Sequence, residues 1–271
     1  MRARIIGLVN EKGGCGKTTT AVNLGALLAR SGAERGVRVL LVDMDPQGSA
    51  AKCVGQVTSF PEKRSLAELI TASPAGRVPL AEYVMRSKWA GHLEFIPTHH
   101  DSMVAAQRYM LEIHLSPSQV LDKLIQPIVD SYDYIIIDSG PSAGILFWNV
   151  LLASDYAIIP TIPDYINIEG LPRTLEAMER INNEFGKKPA LIGILPTVYR
   201  RGLEAQEKSL ALLRNAFPDK VLTPVPQNVD VQEAFARRVP VYEYNPHAAS
   251  AAAYASVTME VIKRVKEKRA A

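Results

Sequence analysis

The stretch that decides the fold runs from Asn10 to Thr20 and reads Asn-Glu-Lys-Gly-Gly-Cys-Gly-Lys-Thr-Thr-Thr. It follows Arg4–Val9, which is apolar on both faces, as a buried parallel strand should be. It leads into Thr18–Ala29, where apolar residues recur at helical spacing. Glycines let the backbone turn its N–H groups toward an anion, and the N-terminus of the helix adds a favourable dipole. The sequence therefore predicts a strand, a phosphate-binding loop and a helix.

Two residues of this loop carry the chemistry expected of it. Lys17 would reach the β- and γ-phosphates as a point charge, and the Thr18 hydroxyl would hold Mg²⁺. The general motif has Gly where this chain has Glu11, so the match is to a variant, Lys-Gly-Gly-x-Gly-Lys-Thr-Thr. A glycine-rich turn that binds nothing is the alternative, but the order of strand, loop and helix favours a nucleotide. The predicted nucleotide-binding residues of the loop are Lys12, Gly13, Gly14, Cys15, Gly16, Lys17, Thr18 and Thr19.

Three carboxylates follow predicted strands. Asp43 and Asp45 come after Val37–Val42, and Asp138 comes after Tyr134–Ile137. Carboxylates at the carboxyl ends of parallel strands point into the crevice where such sheets bind ligands. One can orient or deprotonate water, and another can support a metal, Asp138 binding Mg²⁺ through water. A lone Asp after a strand is more often a cap, but three beside a phosphate loop favour a ligand site.

Short apolar runs alternate with helical patterns along the rest of the chain. This alternation predicts one α/β domain over residues 1–271, a P-loop NTPase fold with a mostly parallel sheet and helices on both faces. Further strands are expected at His92–Ile96, Tyr156–Ile159 and Leu191–Leu195. Further helices are expected from Ser65 onward and at Ser102–Ile113, Ser118–Val129, Glu169–Asn182, Leu203–Asn215 and Ala248–Lys266.

Composition excludes several other classes of protein. Hydrophobic residues make up 47% of the 271 residues, and 31 Lys and Arg against 28 Asp and Glu leave a net charge of +3. Two cysteines are too few for a disulfide framework, and no uncharged apolar stretch approaches the roughly 20 residues of a membrane span. The first residues lack the apolar core of a secretory signal. We therefore expect a cytoplasmic protein.

Taken together, these residues resemble the ParA/MinD group of variant P-loop ATPases, and within it the Soj-like partition branch that lacks an N-terminal helix-turn-helix. The resemblance extends from Arg4 to Val265. The motifs that carry it are Lys12–Thr20, Asp43–Ser49, Asp138–Ser142, Ala153–Asp155, Glu169–Leu171 and Pro224–Pro226.

The resemblance implies an ATP- and Mg²⁺-dependent ATPase that works as a homodimer. Two subunits would enclose two ATP molecules, with Lys12 crossing to the partner's nucleotide and Lys17 serving its own. Asp45 would position the attacking water, which makes Lys12, Lys17 and Asp45 the implied catalytic residues. Hydrolysis would be slow alone and stimulated by a ParB-like or cargo-bound adaptor. The implied metal-site residues are Thr18, Asp43 and Asp138.

The same resemblance places the nucleotide base beside Thr197 and Pro224–Gln227, with Pro226 as the predicted contact. A proline that only shapes a loop is the alternative reading of Pro226.

The family also implies non-specific binding to double-stranded DNA and an association with the nucleoid, but this chain departs from the pattern there. The segment that is partly basic in the family corresponds in this chain to Gln227–Glu233. Asp230 stands at a position that is often basic in the family. Nearby cations could rebuild a basic surface, since phosphate contacts need charge rather than one residue type. Ordinary solvated charge is the alternative. The DNA-contact candidates are Arg200, Arg201, Lys208, Arg214, Arg237 and Arg238.

Two other functions have to be weighed. One is a MinD-like membrane-surface ATPase that recruits a division or flagellar regulator, and the other is a metabolic enzyme with the same loop. MinD-like proteins end in a basic amphipathic helix that binds membranes, and Val257–Arg269 is apolar on one side and basic on the other. Its apolar residues are mostly β-branched, without Trp, Phe or Leu anchors. We therefore expect the helix to pack on the core and expect no binding to a membrane. A metabolic synthetase with the same loop would leave Lys12 hard to explain.

Overall fold

One sheet organises the computed structural model, which describes residues 2–60, 64–72, 78–88 and 92–270. Within these ranges the sheet has seven strands in the order β3-β4-β2-β5-β1-β6-β7. Six of them run parallel, and only the edge strand β3 pairs antiparallel to its neighbour. The strands are β1 (Arg4–Leu8), β2 (Val39–Asp43), β3 (Met85–Arg86), β4 (Leu93–Ile96), β5 (Tyr134–Asp138), β6 (Tyr156–Thr161) and β7 (Ala190–Pro196).

Helices cover both faces of the sheet, as the alternating pattern predicts. The α-helices are α1 (Lys17–Ser31), α2 (Ser49–Gly55), α3 (Leu66–Thr71), α4 (His100–Ile113), α5 (Val120–Ile125), α6 (Ile145–Ala153), α7 (Tyr165–Phe185), α8 (Glu204–Ala216), α9 (Val229–Ala236), α10 (Val241–Tyr244) and α11 (Ala249–Ala270).

Successive side chains along a strand pack into two separate hydrophobic cores, one on each face of the sheet. On β1, Ile5 packs with the cluster that contains α3 to α7, while Ile6 and Leu8 pack with the cluster that contains α1, α2 and α11. All three side chains are fully buried. A strand covered on both faces must be apolar at every position, which explains why these segments show no alternation in the sequence.

The register of the central strands places the functional motifs at one edge. The last residue of β1, Leu8, is paired with Asp138 at the end of β5. Asp43 at the end of β2 is paired with Asp138 from the other side. The phosphate loop and both carboxylates therefore leave the sheet side by side.

One predicted helix is wrong in part. Within Ser118–Val129 only Val120–Ile125 is α-helical, and tighter 3₁₀ turns flank it on both sides. Pro127 lacks the N–H needed to continue an α-helix. The sequence also did not predict β3, α2, α9 and α10, which are short elements of two to eight residues.

Candidate functional site

The loop between β1 and α1 has the backbone that an anion site requires. Gly14 and Gly16 adopt left-handed conformations with φ of 72° and 77°, which side-chain-bearing residues rarely adopt. Among the described residues no side chain caps the N-terminus of α1, and its first turn contains no acidic residue. The N–H groups at this helix end are therefore available to phosphate oxygens.

Lys17 lies inside the loop, only 6% exposed. Its Nζ donates a hydrogen bond of 2.7 Å to the Lys12 carbonyl and lies 3.8 Å from the Cys15 sulfur. An ammonium group held at the centre of such a loop is placed to contact phosphate directly.

Neighbouring strands hold the loop through buried polar side chains. The Asn10 amide donates to the Pro160 carbonyl at 2.8 Å, and its oxygen accepts from the Lys12 N–H at 3.0 Å. The Thr197 hydroxyl donates to the Cys15 carbonyl at 2.8 Å. Sequence reasoning missed Asn10, although a polar residue directly after an apolar strand was an available signal.

Lys12 points away from the loop that contains it. Its ammonium donates to the Ile166 carbonyl in the first turn of α7, and its stem lies against Gly170. The two lysines of the loop thus have different surroundings, one interior and one on the surface of α7.

Asp43 organises the segment that follows β2. One carboxylate oxygen accepts from the Asp45 N–H at 3.0 Å, and the other accepts from the Ala51 N–H at 2.9 Å. Burial raises the pKa of Asp43 to about 7, although these N–H groups oppose the rise. Its carboxylate therefore ties the end of β2 to the start of α2, and its role toward a metal stays a prediction.

Asp138 is the unsatisfied group of the site. Neither carboxylate oxygen has a hydrogen-bond partner among the described residues, and the side chain is fully buried. Burial and the neighbouring Asp43 raise its pKa well above the usual value, while Thr18 and Lys17 act in the opposite direction. A buried carboxylate needs a cation or a donor, so this position fits a divalent ion near the Thr18 hydroxyl.

Asp45 is half-buried and lies over the bare backbone of Gly140, where an added Cβ would be 3.5 Å from its Cγ. Its Oδ1 accepts from the Gln47 N–H at 2.9 Å. The carboxylate is thus held at the same edge as Asp138 while remaining open to solvent on one side.

The carboxylates do not form a protein-only metal cage. Within the described ranges no group of three or more His, Cys, Asp and Glu residues could hold a metal ion. Mg²⁺ usually keeps waters and takes one or two carboxylates plus substrate phosphates. The donor set of Thr18 and Asp138 suits that arrangement.

A cavity of about 90 Å³ lies beside the loop. Gly16, Thr197 and Pro226 line it together with Tyr254 of α11, and its role as the site of the base stays a prediction. The Tyr254 hydroxyl lies 3.4 Å from the Thr20 hydroxyl of α1. Tyr254 was missed, because nothing near it in the sequence links it to the loop.

The candidate DNA contacts fall into two groups. The first follows β7: Arg200 donates to the Gln227 side chain, and Lys208 pairs with Glu204 at 2.6 Å. In the same group the Gly202 N–H, the Tyr199 hydroxyl and the charges of Arg201 and Arg214 lower the pKa of Glu207.

The second group follows α9. Arg237 lies over the Tyr244 ring at 5.0 Å. Burial raises the pKa of Cys53 on α2 to about 12, against the opposing charge of Arg238. Asp230 lies in the first turn of α9, where a negative charge is favourable, so this departure from the family pattern has a structural reason.

The C-terminal helix packs on the core, as the sequence predicts. Val257, Val261 and Val265 are fully buried on one face of α11, whereas Met259 is 63% exposed. No helix in the described part of the chain is long and apolar enough to cross a membrane.

Comparisons with known proteins show the family to which the chain is similar. A family model described as an AAA domain matches residues 3–191. The chain is 32% identical to the sporulation initiation inhibitor protein Soj of Bacillus subtilis, over 95% of this chain and 98% of that protein. It is 31% identical to the chromosome partitioning protein ParA of Caulobacter vibrioides, over 98% of this chain and 97% of that protein.

One solved structure with the same fold contains bound ligands. Cobyrinic acid a,c-diamide synthase from Mycobacterium smegmatis, with a bound ATP analog and magnesium, has a TM-score of 0.78 and 25% identity. The match covers 98% of this chain and 97% of that one.

The phosphate loop, the parallel sheet and the carboxylates at its edge define a P-loop ATPase that uses ATP and Mg²⁺. Within that class, the chain belongs to the ParA family.

Proposed function

We propose that this ATPase forms a homodimer when it binds ATP and that the dimer binds double-stranded DNA without sequence preference. A ParB-like or cargo-bound adaptor stimulates its slow hydrolysis. The cycle segregates a plasmid, a chromosome region or a protein cargo on the nucleoid. Support comes from relatives that match almost the whole chain, one of them named for chromosome partitioning.

The observation that carries this proposal is the different direction of the two loop lysines. Lys17 already serves the interior of its own loop, whereas the Lys12 ammonium lies outside it on α7. A surface cation beside the nucleotide edge is available to a second subunit. Like an arginine finger, it stabilises the charge of the transition state only after the dimer has formed.

The remaining residues divide the chemistry between them. Asp45, held over Gly140 and partly open to solvent, positions the attacking water. Thr18 and Asp138 hold Mg²⁺, which when bound offsets the negative charge of the phosphates. Asp43 keeps the Asp45 segment in place through the Asp45 and Ala51 N–H groups.

DNA binding is assigned to the exposed arginines. Phosphate contacts need positive charge that is not fully neutralised by neighbours. Arg201 and Arg214 lie close enough to Glu207 to lower its pKa, and Arg237 lies over the Tyr244 ring, a contact that keeps its positive charge. These side chains can contact DNA phosphates without reading bases.

The test uses Asp45→Ala protein, in which hydrolysis should not reset the ATP state. Its mass by light scattering and its affinity for duplex DNA would be measured with ATP and with ADP, across a salt series. We expect a dimer and DNA binding with ATP only, and a log–log decline of the affinity with salt.

Two results would contradict parts of the proposal separately. A dimer that ignores DNA even at low salt removes the DNA function and leaves the dimer. A monomer in saturating ATP removes the role of Lys12 in a second subunit.

A further inference from the structure

The motif Glu169-Gly170-Leu171 has no role in the chemistry described so far, and its glycine lies in the interior of a helix. Gly170 is in the second turn of α7, four residues after Ile166, so both lie on one face of the helix. Glycine destabilises a helix interior relative to alanine. A glycine at this position therefore calls for a packing reason.

That reason is the side chain of Lys12. A Cβ added at Gly170 would lie 2.6 Å from Cε of Lys12, 3.3 Å from its Cδ and 3.4 Å from its Nζ. The first distance is well below an ordinary non-bonded carbon contact, so the Lys12 side chain would have to shift from the Ile166 carbonyl, to which its ammonium donates. The bare backbone of Gly170 is what allows Lys12 to reach that carbonyl.

The contact between Lys12 and the Ile166 carbonyl is weak. It rests on one exposed hydrogen bond, and an ammonium beside a helix N-terminus gains nothing from the helix dipole. On the same turn Tyr165 and Ile166 are 72% and 69% exposed. The resting position of Lys12 therefore lies on an open apolar edge beside the nucleotide loop.

We propose that Gly170 is a positioning residue for Lys12: it gives the ammonium a resting place on α7 of its own subunit, which Lys12 must leave before it can reach a second subunit. The intramolecular contact and the intermolecular one compete for the same group. This inference rests on the proposed role of Lys12 across the dimer, although the resting contact itself is a property of the monomer.

The first test follows the reactivity of the Lys12 amine in the nucleotide-free monomer. Wild-type and Gly170→Ala proteins would be treated with an amine-acetylating reagent, and the rate at each lysine read by mass spectrometry. Lys52 of α2, which donates to the Gln47 carbonyl, is the internal control. We expect Lys12 to react several-fold faster in the variant and Lys52 to be unchanged. Equal Lys12 rates in the two proteins overturn the resting contact.

A second measurement uses thermal unfolding. In a Lys12→Ala background, Gly170→Ala only improves the helix and should raise the midpoint by about 2–4 °C. In the protein that retains the wild-type Lys12, the gain in the thermal midpoint should shrink or reverse, because the new methyl group displaces the lysine side chain. Gly25→Ala in α1, whose Cβ would meet nothing closer than 3.6 Å, should give one shift in both backgrounds. Equal gains for Gly170→Ala overturn the proposal.

The competition is tested by ATP-dependent dimerisation in the Asp45→Ala background. With Gly170→Ala added, the protein concentration for half-dimerisation should fall several-fold; an unchanged or higher value overturns the competition. Should Lys12→Ala dimerise and hydrolyse ATP normally, the proposed role across the dimer fails instead. The labelling experiment then still decides the resting contact.

Discussion

The Lys17 ammonium is held inside the phosphate loop by the hydrogen bond that it donates to the Lys12 carbonyl. We expect Lys17→Ala to weaken ATP binding about 100-fold or more, because the phosphates lose their interior charge-assisted contact. Titration calorimetry with a non-hydrolysable ATP analogue measures this. Lys52→Ala, which removes a half-buried lysine that donates to the Gln47 carbonyl, is the matched control and should bind normally. Retained affinity in Lys17→Ala contradicts the phosphate-loop assignment.

Asp138 poses the opposite problem, a buried carboxyl group without a hydrogen-bond partner among the described residues. Its pKa is raised above the unfolded value of 3.8, so the folded state holds its proton to higher pH than the unfolded state does. Stability is therefore lost as pH rises from 3.8 through the folded pKa. Asn does not titrate, so the thermal midpoint of Asp138→Asn should exceed that of the wild type increasingly over this window.

We expect that gain to reach about 2–4 °C in nucleotide-free, Mg²⁺-free protein, while Mg²⁺-dependent ATP turnover falls at least about tenfold. Calorimetric melts over a pH series and a phosphate-release assay measure the two effects. Asp101→Asn, at an exposed position in the first turn of α4, is the control and should show no gain that grows with pH. A gain for Asp138→Asn that is independent of pH contradicts the unpaired carboxylate.

For single residues, the sequence predicts a functional role where the residue belongs to a motif of defined residue types and spacing. Lys17, Thr18 and the carboxylates at the ends of β2 and β5 could be predicted, because strand ends in a parallel sheet share one edge. Gly170 and Tyr254 could not be assigned a role, since each meets the loop only through tertiary contacts with Lys12 and Thr20. No pattern of spacing encodes such a meeting.

Among the elements, α11 offers the sharpest test of packing. Val261 is fully buried and Met259 is 63% exposed on the same helix. We expect Val261→Asp to lower the free energy of unfolding by about 3 kcal/mol or more, because it buries an unpaired charge. Met259→Asp should change it by less than about 0.5 kcal/mol.

Urea denaturation followed by circular dichroism measures both variants. A small effect of Val261→Asp would mean that α11 is not part of the core, and it would reopen the membrane-binding reading of this segment.

The elements that the sequence missed are those whose local signal is weak. β3 has two residues and depends on pairing with β4, and α9 has eight residues of which only Ala234 is buried. The long elements were predicted because each must bury a full apolar face. Within Ser118–Val129 the apolar spacing suggested a continuous helix, and Pro127 overrode it.

Across the molecule as a unit, the two groups of arginines can be tested separately for DNA binding. If both groups face the duplex in the ATP dimer, Arg201→Ala with Arg214→Ala, and separately Arg237→Ala, should each weaken binding uniformly across sequences. Each should also reduce the slope of log affinity against log salt, by about one for every phosphate that is no longer neutralised.

Fluorescence anisotropy with two unrelated duplexes measures these slopes. Lys208→Ala is the matched control, since its ammonium is already paired with Glu204 at 2.6 Å, and its slope should stay near that of the parent. A group whose removal leaves the slope unchanged lies off the DNA surface.

The contact between Tyr254 and Thr20 joins the last helix to the first across most of the chain. A protein emerging from the ribosome presents its phosphate loop early, because chains are synthesised and begin to fold from the N-terminus. The Tyr254 side chain that lines the cavity beside the loop arrives only after α11 has been translated. A chain that stops before α11 therefore has the phosphate loop but lacks the side chain that Tyr254 contributes to the cavity beside it.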